Sequence, residues 1–107
     1  MQQLAPTGLK AWLDDAARPA PQMVDVREPW EVATCALPGA LHIPMMAIPA
    51  RAAELDRNAP VVMICHHGHR SLQAGLFLER QGFADVFNLA GGIDAWARTV
   101  DPAMATY

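Results

Sequence analysis

The sequence predicts a three-layer α/β/α domain, in which helices cover both faces of a small, mostly parallel sheet of about five strands. Short apolar runs alternate with longer amphipathic runs, which is the pattern of successive strand–helix units. The run at 60–64 (PVVMI) is short, continuous and rich in β-branched residues, as expected of a central parallel strand buried on both faces. The length of 107 residues predicts a single domain over 1–107.

The first half of the chain contains five predicted elements. Thr7 is the expected N-cap of the first helix, and Pro19 stops the chain from continuing it. Pro44 ends the second strand, and Pro49 must occupy a first turn or a kink of the helix that follows. In order, the elements are a helix at about 8–17, a strand at 23–26, a short helix opened by the turn at 27–31, a strand at 41–43 and a helix at about 46–55.

The second half predicts the strongest elements. The central strand at 60–64 leads into a helix at about 71–81, which Gly82 closes at the C′ position. A strand at 85–89 and a helix at about 93–98 complete the domain. Two tryptophans, Trp30 and Trp96, are expected to pack in the core or in a pocket wall.

Composition excludes several classes of function. The net charge is −3 and basic residues form no long run, so neither nucleic acid nor an anionic membrane is an expected partner. A small anion can still bind at a local positive site, because net charge does not decide local potential. No signal sequence or membrane-spanning stretch is apparent, and two cysteines are too few for a disulfide scaffold, so a reducing, cytoplasmic location is expected.

The chemistry is expected in the loop that follows the central strand, CHHGHRS at 65–71. Ligands of open parallel sheets bind outside the carboxyl ends of the strands, where Cys65 stands. The next helix directs its free N–H groups and positive dipole end at this loop, and Gly68 permits a tight turn. These features stabilise a negative charge, either on the Cys65 thiolate or on a bound oxyanion. Arg70 adds a positive charge that can fork onto an oxyanion.

The loop sequence also allows two other roles. Cys65 can be a small buried hydrophobe at the end of a strand, although three histidines, a glycine and an arginine after it argue against that. The cysteine and histidines can also suggest zinc. Adjacent loop residues point in different directions, however, and no second half-site follows at zinc spacing, so no metal is expected. The histidines are expected to line the mouth of a pocket and to raise its positive potential when protonated.

Five segments in the same order resemble the rhodanese family, and together they cover about residues 22–98. The length resembles the stand-alone, single-domain members, so the resemblance implies one rhodanese-like domain. The segments are VDVREP with Glu31 at 24–31, LPGALHIP at 37–44, CHHGHRS at 65–71, Gly82-Phe83, and LAGGIDAW at 89–96.

The resemblance implies a sulfurtransferase without a cofactor, in which Cys65 is the catalytic nucleophile. Its thiolate attacks the outer sulfur of thiosulfate or a similar small anionic donor, sulfite leaves, and a Cys65 persulfide remains. The sulfur then passes to cyanide or to a thiol, which can belong to a thioredoxin-like protein. Asp25 and Arg27 are implied as a structural pair supporting the site, the alternative being a solvated surface pair. The implied substrate-binding residues are His66, His67, Gly68, His69, Arg70 and Ser71.

Several alternatives remain open. A persulfide carrier fed by a partner protein uses the same loop but turns over little small donor, and a catalytically silent regulatory domain is a third reading. Related phosphatases and arsenate reductases resemble this site, but they place five residues between the cysteine and the arginine, and this chain places four between Cys65 and Arg70.

The chain also departs from the family pattern at two positions. Cys35-Ala36 stands where many members have Gly-His, and Cys35 is interpreted as an inert thiol or as a resolving cysteine that attacks the persulfide. His66 stands where many members have arginine directly after the nucleophile. Binding of an anionic donor is therefore expected to depend more on Arg70 and on pH, because histidine titrates near neutrality.

Overall fold

A computed structural model describes all 107 residues and contains one five-stranded sheet in which every pairing is parallel. The three-layer α/β/α prediction is confirmed. The strands are β1 (Gln2–Leu4), β2 (Gln22–Asp25), β3 (Leu41–His42), β4 (Val61–Ile64) and β5 (Val86–Leu89). The helices are α1 (Pro6–Asp14), α2 (Pro29–Thr34), α3 (Ile48–Arg51), α4 (His69–Arg80) and α5 (Gly92–Thr99). None of them has the length and apolar character needed to cross a lipid bilayer.

The core lies on both faces of the sheet because side chains alternate along each strand. Val61 and Met63 pack on one face with residues of α3 and α4, whereas Val62 and Ile64 pack on the other with residues of α1 and α5. All four side chains of β4 are fully buried. This burial on both faces explains why the strand is a continuous apolar run rather than an alternating one.

The strand order β1-β5-β4-β2-β3 creates a crevice between β4 and β2. From β2 the chain moves outward to β3, and from β4 it moves in the opposite direction to β5, so the segments that leave these two neighbouring strands diverge. Ligands of open α/β sheets bind at such a switch point, outside the carboxyl ends of the strands. The crevice therefore lies between the loop that begins at Cys65 and the segment that begins at Val26.

The first helix differs from its prediction at both ends. It begins at Pro6, with Ala5 as its N-cap, so Thr7 lies inside the first turn and caps nothing. Proline suits this position because its fixed φ is already helical and it has no N–H group to leave unpaired. The helix ends at Asp14 rather than near residue 17, because the Asp15 carboxylate accepts the N–H of Ala17 and forms a local turn instead.

Two further regions differ from the prediction. The helix expected at about 46–55 is a single turn, α3, between 3₁₀ turns at Met45–Ala47 and Ala52–Glu54, since Pro49 removes a backbone donor. Strand β1 was not predicted: its three residues show no strand pattern, and pairing with β5 at the sheet edge makes it a strand.

Trp30 and Trp96, for which packing was predicted, have different environments. Trp96 is buried in the core, as predicted. Trp30 does not pack in the core: 63% of this residue is exposed, and its ring makes a T-shaped contact with Tyr107 at a centroid distance of 5.4 Å. Its helix, α2, is short and turns this position outward.

The start of α5 holds the loop after β4 by direct backbone contact. The N–H groups of Ile93 and Asp94 donate to the carbonyls of Cys65 and His66 at 2.8 and 3.1 Å. Gly92 lies beside the same carbonyls with φ 65°, and a Cβ atom there would overlap both carbonyl oxygens. Glycine is therefore required at 92 for α5 to hold the loop at this distance.

We predict that Gly92→Ala lowers the free energy of unfolding by about 3 kcal/mol or more, because a strained φ and a backbone clash act together. Urea denaturation of wild type and variant measures this. Gly39→Ala is the matched control: φ is 84°, but the new Cβ would meet only Met23 Cε at 3.7 Å, so a loss of about 1 kcal/mol is expected. Equal losses in the two variants would contradict the role assigned to Gly92.

Candidate active site

Cys65 lies at the carboxyl end of β4 with its side chain turned into the loop. The residue is 1% exposed and is not in a disulfide. Its Sγ accepts the N–H of Gly68 at 3.1 Å, and it lies 3.2 Å from the hydroxyl of Ser71. Gly68 adopts φ 97° and is the N-cap of α4, so one residue both turns the loop and directs an amide at the sulfur.

A buried hydrogen-bond chain continues from Cys65 through Ser71 to Asn88 on β5. The Asn88 amide donates from Nδ2 to the Gly68 carbonyl at 3.0 Å and to Gln3 Oε1 at 3.1 Å. Its Oδ1 therefore accepts the Ser71 hydroxyl, at 2.5 Å. A hydroxyl has one proton, so Ser71 then presents only lone pairs to Sγ. This arrangement suits a protonated thiol, and a thiolate is stabilised when the same hydroxyl turns toward the sulfur.

Arg70 does not stand free at the mouth of the site. Its guanidinium forms a bidentate pair with the Glu31 carboxylate, with both N···O distances at 2.8 Å. Glu31 is 4% exposed, and the hydrogen bonds from Arg70 are the largest cause that lowers its pKa, from 4.5 to about 2. The pKa of Arg70 is raised by the same pair. The cation expected to bind an oxyanion is thus already paired with a carboxylate across the switch point.

Arg27 is fully buried and joins the segment after β2 to the rest of the site. It holds the Asp25 carboxylate with Nε and Nη2 at 2.9 and 2.7 Å. Burial alone disfavours its charge, but hydrogen bonds to Asp25 and Tyr107 outweigh that cost, and the pKa of Arg27 is raised. The pair therefore lies in the interior, not on the surface. The remaining guanidinium N–H groups reach the carbonyl of Glu31, the carbonyl of Cys35 and the hydroxyl of Tyr107.

Tyr107 joins both halves of the site from the far end of the chain. Its hydroxyl accepts from Arg27 at 2.9 Å and donates to Glu31 Oε1 at 2.8 Å. Burial is the largest cause that raises the pKa of Tyr107, so the phenol keeps its proton for that donation. Its ring stacks on His66 with centroids 4.0 Å apart and planes 15° apart.

The three histidines of the loop occupy different environments. His66 is half-buried between Tyr107 and the ring of His67, and burial, followed by the charge of His67, lowers its pKa. The neutral form of His66 is therefore favoured, which reduces the contribution of this residue to the positive potential of the site. The ring of His67 is exposed, with Nε2 3.7 Å from Asp94, and His69 is exposed at the first residue of α4.

One group of side chains has metal-binding atoms within reach of one another. Donor atoms of His66, His67 and Asp94 lie within 4.8 Å. The two imidazole rings, however, are stacked 3.9 Å apart with planes 26° apart. A zinc ion must lie close to the plane of each ligating ring, about 2 Å from its nitrogen, and nearly parallel planes at this separation do not meet there. The group is not a preformed metal site, and the absence of a resident metal stays a prediction.

Sequence reasoning singled out the loop but missed three residues around it. Glu31 had a signal: it lies three residues after the N-cap of α2 and accepts the Glu28 N–H at 2.8 Å, as in a capping box. Asn88 also had a signal, because an amide inside the apolar run VFNL needs buried partners. Tyr107 had none, since its place depends entirely on how the segment after α5 folds back.

The fold and the site together define an α/β protein with a single cysteine centre at the switch point of a parallel sheet. Comparison with known proteins gives the family. The sequence matches the rhodanese-like domain family over residues 6–99, so the chain belongs to that family. Several of its relatives are named as sulfurtransferases, and the chain is a member of this sulfurtransferase family.

Individual relatives cover most of the chain. A sulfurtransferase of Allochromatium vinosum is 46% identical over 83 residues, which is 78% of each protein. The thiosulfate sulfurtransferase GlpE of Pseudomonas aeruginosa is 35% identical over 102 residues, covering 95% of this chain and 88% of that protein. The crystal structure of a rhodanese-like domain protein from Staphylococcus aureus superimposes with a TM-score of 0.83 at 34% identity, covering 90% and 91% of the two chains.

We predict that Glu31→Gln destabilises the protein in a pH-dependent way. The pKa of Glu31 is lowered in the folded state, so its contribution is fully present above pH 4.5 and is lost as the pH falls toward about 2. The difference between wild type and variant should be about 1–2 kcal/mol at pH 6, a value reduced for the partial exposure of Arg70, and smaller at pH 3.

Urea denaturation at both pH values measures this difference. Glu54→Gln is the control, because Glu54 pairs with Arg51 on the exposed surface and little effect is expected at either pH. A Glu31→Gln difference that does not change with pH would show that the lost stability comes from packing rather than from the ion pair.

Proposed function

We propose that this protein moves a sulfane sulfur from thiosulfate, or a similar small donor, to a thiophilic acceptor through a persulfide on Cys65. One observation carries the proposal. Cys65 Sγ lies at the switch point, inside a loop that directs the Gly68 amide at it from 3.1 Å. The N-terminus of α4, a helix of 12 residues, follows directly and favours negative charge in the loop.

The reaction consists of two displacements at sulfur. The Cys65 thiolate attacks the outer sulfur of thiosulfate, a new S–S bond forms, and the original S–S bond breaks with its electron pair leaving on sulfite. An acceptor, either cyanide or a thiolate, then attacks the outer sulfur of the persulfide, and the Cys65 thiolate returns. No proton transfer to a side chain is required in either step when the thiolate is already formed. The Gly68 amide and the Ser71 hydroxyl are placed to stabilise the charge on sulfur.

The donor is held chiefly by backbone in this proposal. The α4 residues His69, Arg70 and Ser71 present the first N–H groups of the helix to the loop. Arg70 is engaged by Glu31, so its role is to fix the end of the loop and to contribute charge at a distance, unless a bound donor displaces the carboxylate. His67 and His69 are exposed and can contact an acceptor at the rim.

The two cysteines also suggest in which cellular compartment the reaction takes place and what kind of acceptor it uses. Both cysteines are free thiols, which suits a reducing compartment such as the cytoplasm. In such a compartment the acceptor is a thiol, either a small molecule or a protein of the thioredoxin-like class. No cofactor is needed for either displacement.

A second candidate function is a persulfide carrier that a partner protein loads. The pairing of Arg70 with Glu31 favours it, because a doubly negative small donor then lacks a free cation in the site. A partner protein would deliver sulfur without that charge. The two candidates use the same thiol and differ in the rate with small donors.

We predict that incubation with thiosulfate increases the intact mass of the wild-type protein by one sulfur atom, and that Cys65→Ser abolishes this gain. Intact mass spectrometry after removal of excess donor provides the measurement. Cys35→Ser is the matched control and should retain the gain, because the second thiol takes no part. A mass gain that persists in Cys65→Ser would refute the assignment of Cys65.

We predict steady turnover with thiosulfate and cyanide, at a KM in the millimolar range or lower, which is an ordinary range for enzymes. Sulfite release measures the first displacement and thiocyanate formation the second. Negligible turnover, together with ready transfer from a persulfide supplied on another protein, would instead establish the carrier.

A further inference from the structure

The segment 101–107 lies against the active site without forming a helix or strand. Most of its residues are exposed, and its internal order is limited to a turn in which the Met104 N–H donates to the Asp101 carbonyl. The segment is anchored at two places: Met104 packs on the core cluster beneath α5, and Tyr107 enters the site. We call residues 101–107 the tail.

Tyr107 contacts both ends of residues 65–71, which we call the reactive loop because they begin with Cys65. At the beginning of the loop, its ring lies 4.0 Å from the ring of His66, the residue that follows Cys65. At the end of the loop, its hydroxyl donates to Glu31, whose carboxylate holds Arg70. Cys65 itself is 1% exposed in this structure, so a reagent reaches its sulfur only when part of the surrounding structure moves.

The tail also closes the space beside the loop. Ala105, Thr106 and Tyr107 line one small cavity together with Cys35, His66 and Ile93. The Tyr107 ring also makes a T-shaped contact with Trp30, which is mostly exposed and is not part of the core. The ring is therefore held by one stack, one T-shaped contact and two hydrogen bonds. None of the four residues that hold it belongs to a strand, so the ring can leave without disturbing the sheet.

We propose that Tyr107 is a specificity-determining residue that closes the mouth over Cys65, so that the size of the donors and acceptors reaching the sulfur depends on how readily Tyr107 swings out. This inference rests on the proposed role of Cys65 as the nucleophile. A small anion needs a small opening, whereas a bulky thiol or a protein acceptor needs the whole ring and the tail to move. Tyr107 therefore acts on large partners more than on small ones.

The test measures the alkylation of Cys65, which requires no sulfur transfer, and so it can fail independently of the proposed function. In a Cys35→Ser background, Cys65 is the only thiol. Rates with iodoacetamide, a small reagent, and with a fluorescein maleimide, a bulky one, are compared in Tyr107→Ala, Tyr107→Phe and the parent. Thr106→Ala is the matched control, because Thr106 is exposed and lines the same cavity but takes no part in the hydrogen bonds to Arg27 and Glu31.

We expect the alkylation rate of Cys65 to increase by different amounts in the variants. Tyr107→Ala should raise the maleimide rate about tenfold or more, because hydrogen bonds to two charged groups and the stack are lost together. The iodoacetamide rate should rise less, so that the ratio of the two rates changes. Tyr107→Phe keeps the ring and should lie between the parent and Tyr107→Ala, while Thr106→Ala should match the parent.

Two outcomes would overturn the proposal. If Tyr107→Ala changes neither rate by more than about twofold, the ring does not control access. The second outcome is that Tyr107→Ala raises the alkylation rates with both reagents equally and that Tyr107→Phe does the same. The hydroxyl of Tyr107 would then act only by supporting Glu31 and Arg70. If circular dichroism shows that Tyr107→Ala does not fold, Trp30→Ala provides a second test, because it removes the T-shaped contact with the Tyr107 ring. This variant must also raise the maleimide rate, and no rise would reject the role proposed for Tyr107.

Discussion

The chain of alternating charges across the switch point is the constraint on which the rest of the site depends. Asp25 pairs with Arg27 at the end of β2, and Glu31 pairs with Arg70 at the end of the reactive loop. The two ion pairs are joined because Arg27 also donates to the backbone carbonyl of Glu31, and the donor–acceptor distances are 2.7 to 3.2 Å. Three of the four are at most 4% exposed. Buried charges are tolerated only when they are paired and hydrogen-bonded, so each member holds the next in place. The reactive loop is thereby fixed to a strand other than the one that carries it.

A second set of contacts fixes the loop from the opposite side. Asn88 on β5 holds the Gly68 carbonyl, and the first N–H groups of α5 hold the carbonyls of Cys65 and His66. No buried side-chain nitrogen or oxygen in the protein lacks a hydrogen-bond partner. A loop of seven residues whose backbone carbonyls are held by two neighbouring elements, β5 and α5, has little freedom, and this preorganisation is what electrostatic stabilisation of a charged sulfur requires.

The same network explains why Arg70 has a different role in the folded protein from the one that the loop sequence at 65–71 suggests. In isolation, an arginine at the start of a helix suggests an anion-binding fork. In the folded protein, its fork is filled by Glu31, and the function proposed above therefore relies on the amides of the loop as donors to an anion or a persulfide. Tyr107 adds a hydrogen bond to that carboxylate and a ring to His66, so the state of the tail and the state of the loop are linked through two residues.

The sequence by itself determined the alternation of strands and helices, the buried central strand and the position of Cys65 at its end. Those features depend on local patterns: apolar runs of strand length, glycines where φ is positive, and prolines that end helices. The fold class was predictable for that reason, and so was the loop that carries the cysteine. The boundaries of the helices were less predictable. Ala5 and Asp15, for example, define the ends of α1 through capping geometry that several nearby residues could have provided.

Only the tertiary structure decided which groups meet the loop. The pairing of Glu31 with Arg70 spans 39 positions of the chain, and that of Tyr107 with Arg27 spans 80. Strand β1 forms because it pairs with the edge of β5, and the tail is held beside the site because Met104 packs on the core beneath α5. Contacts between distant segments leave no periodic trace in either segment. They arise when the sheet order brings the ends of β2 and β4 side by side, which no local pattern specifies.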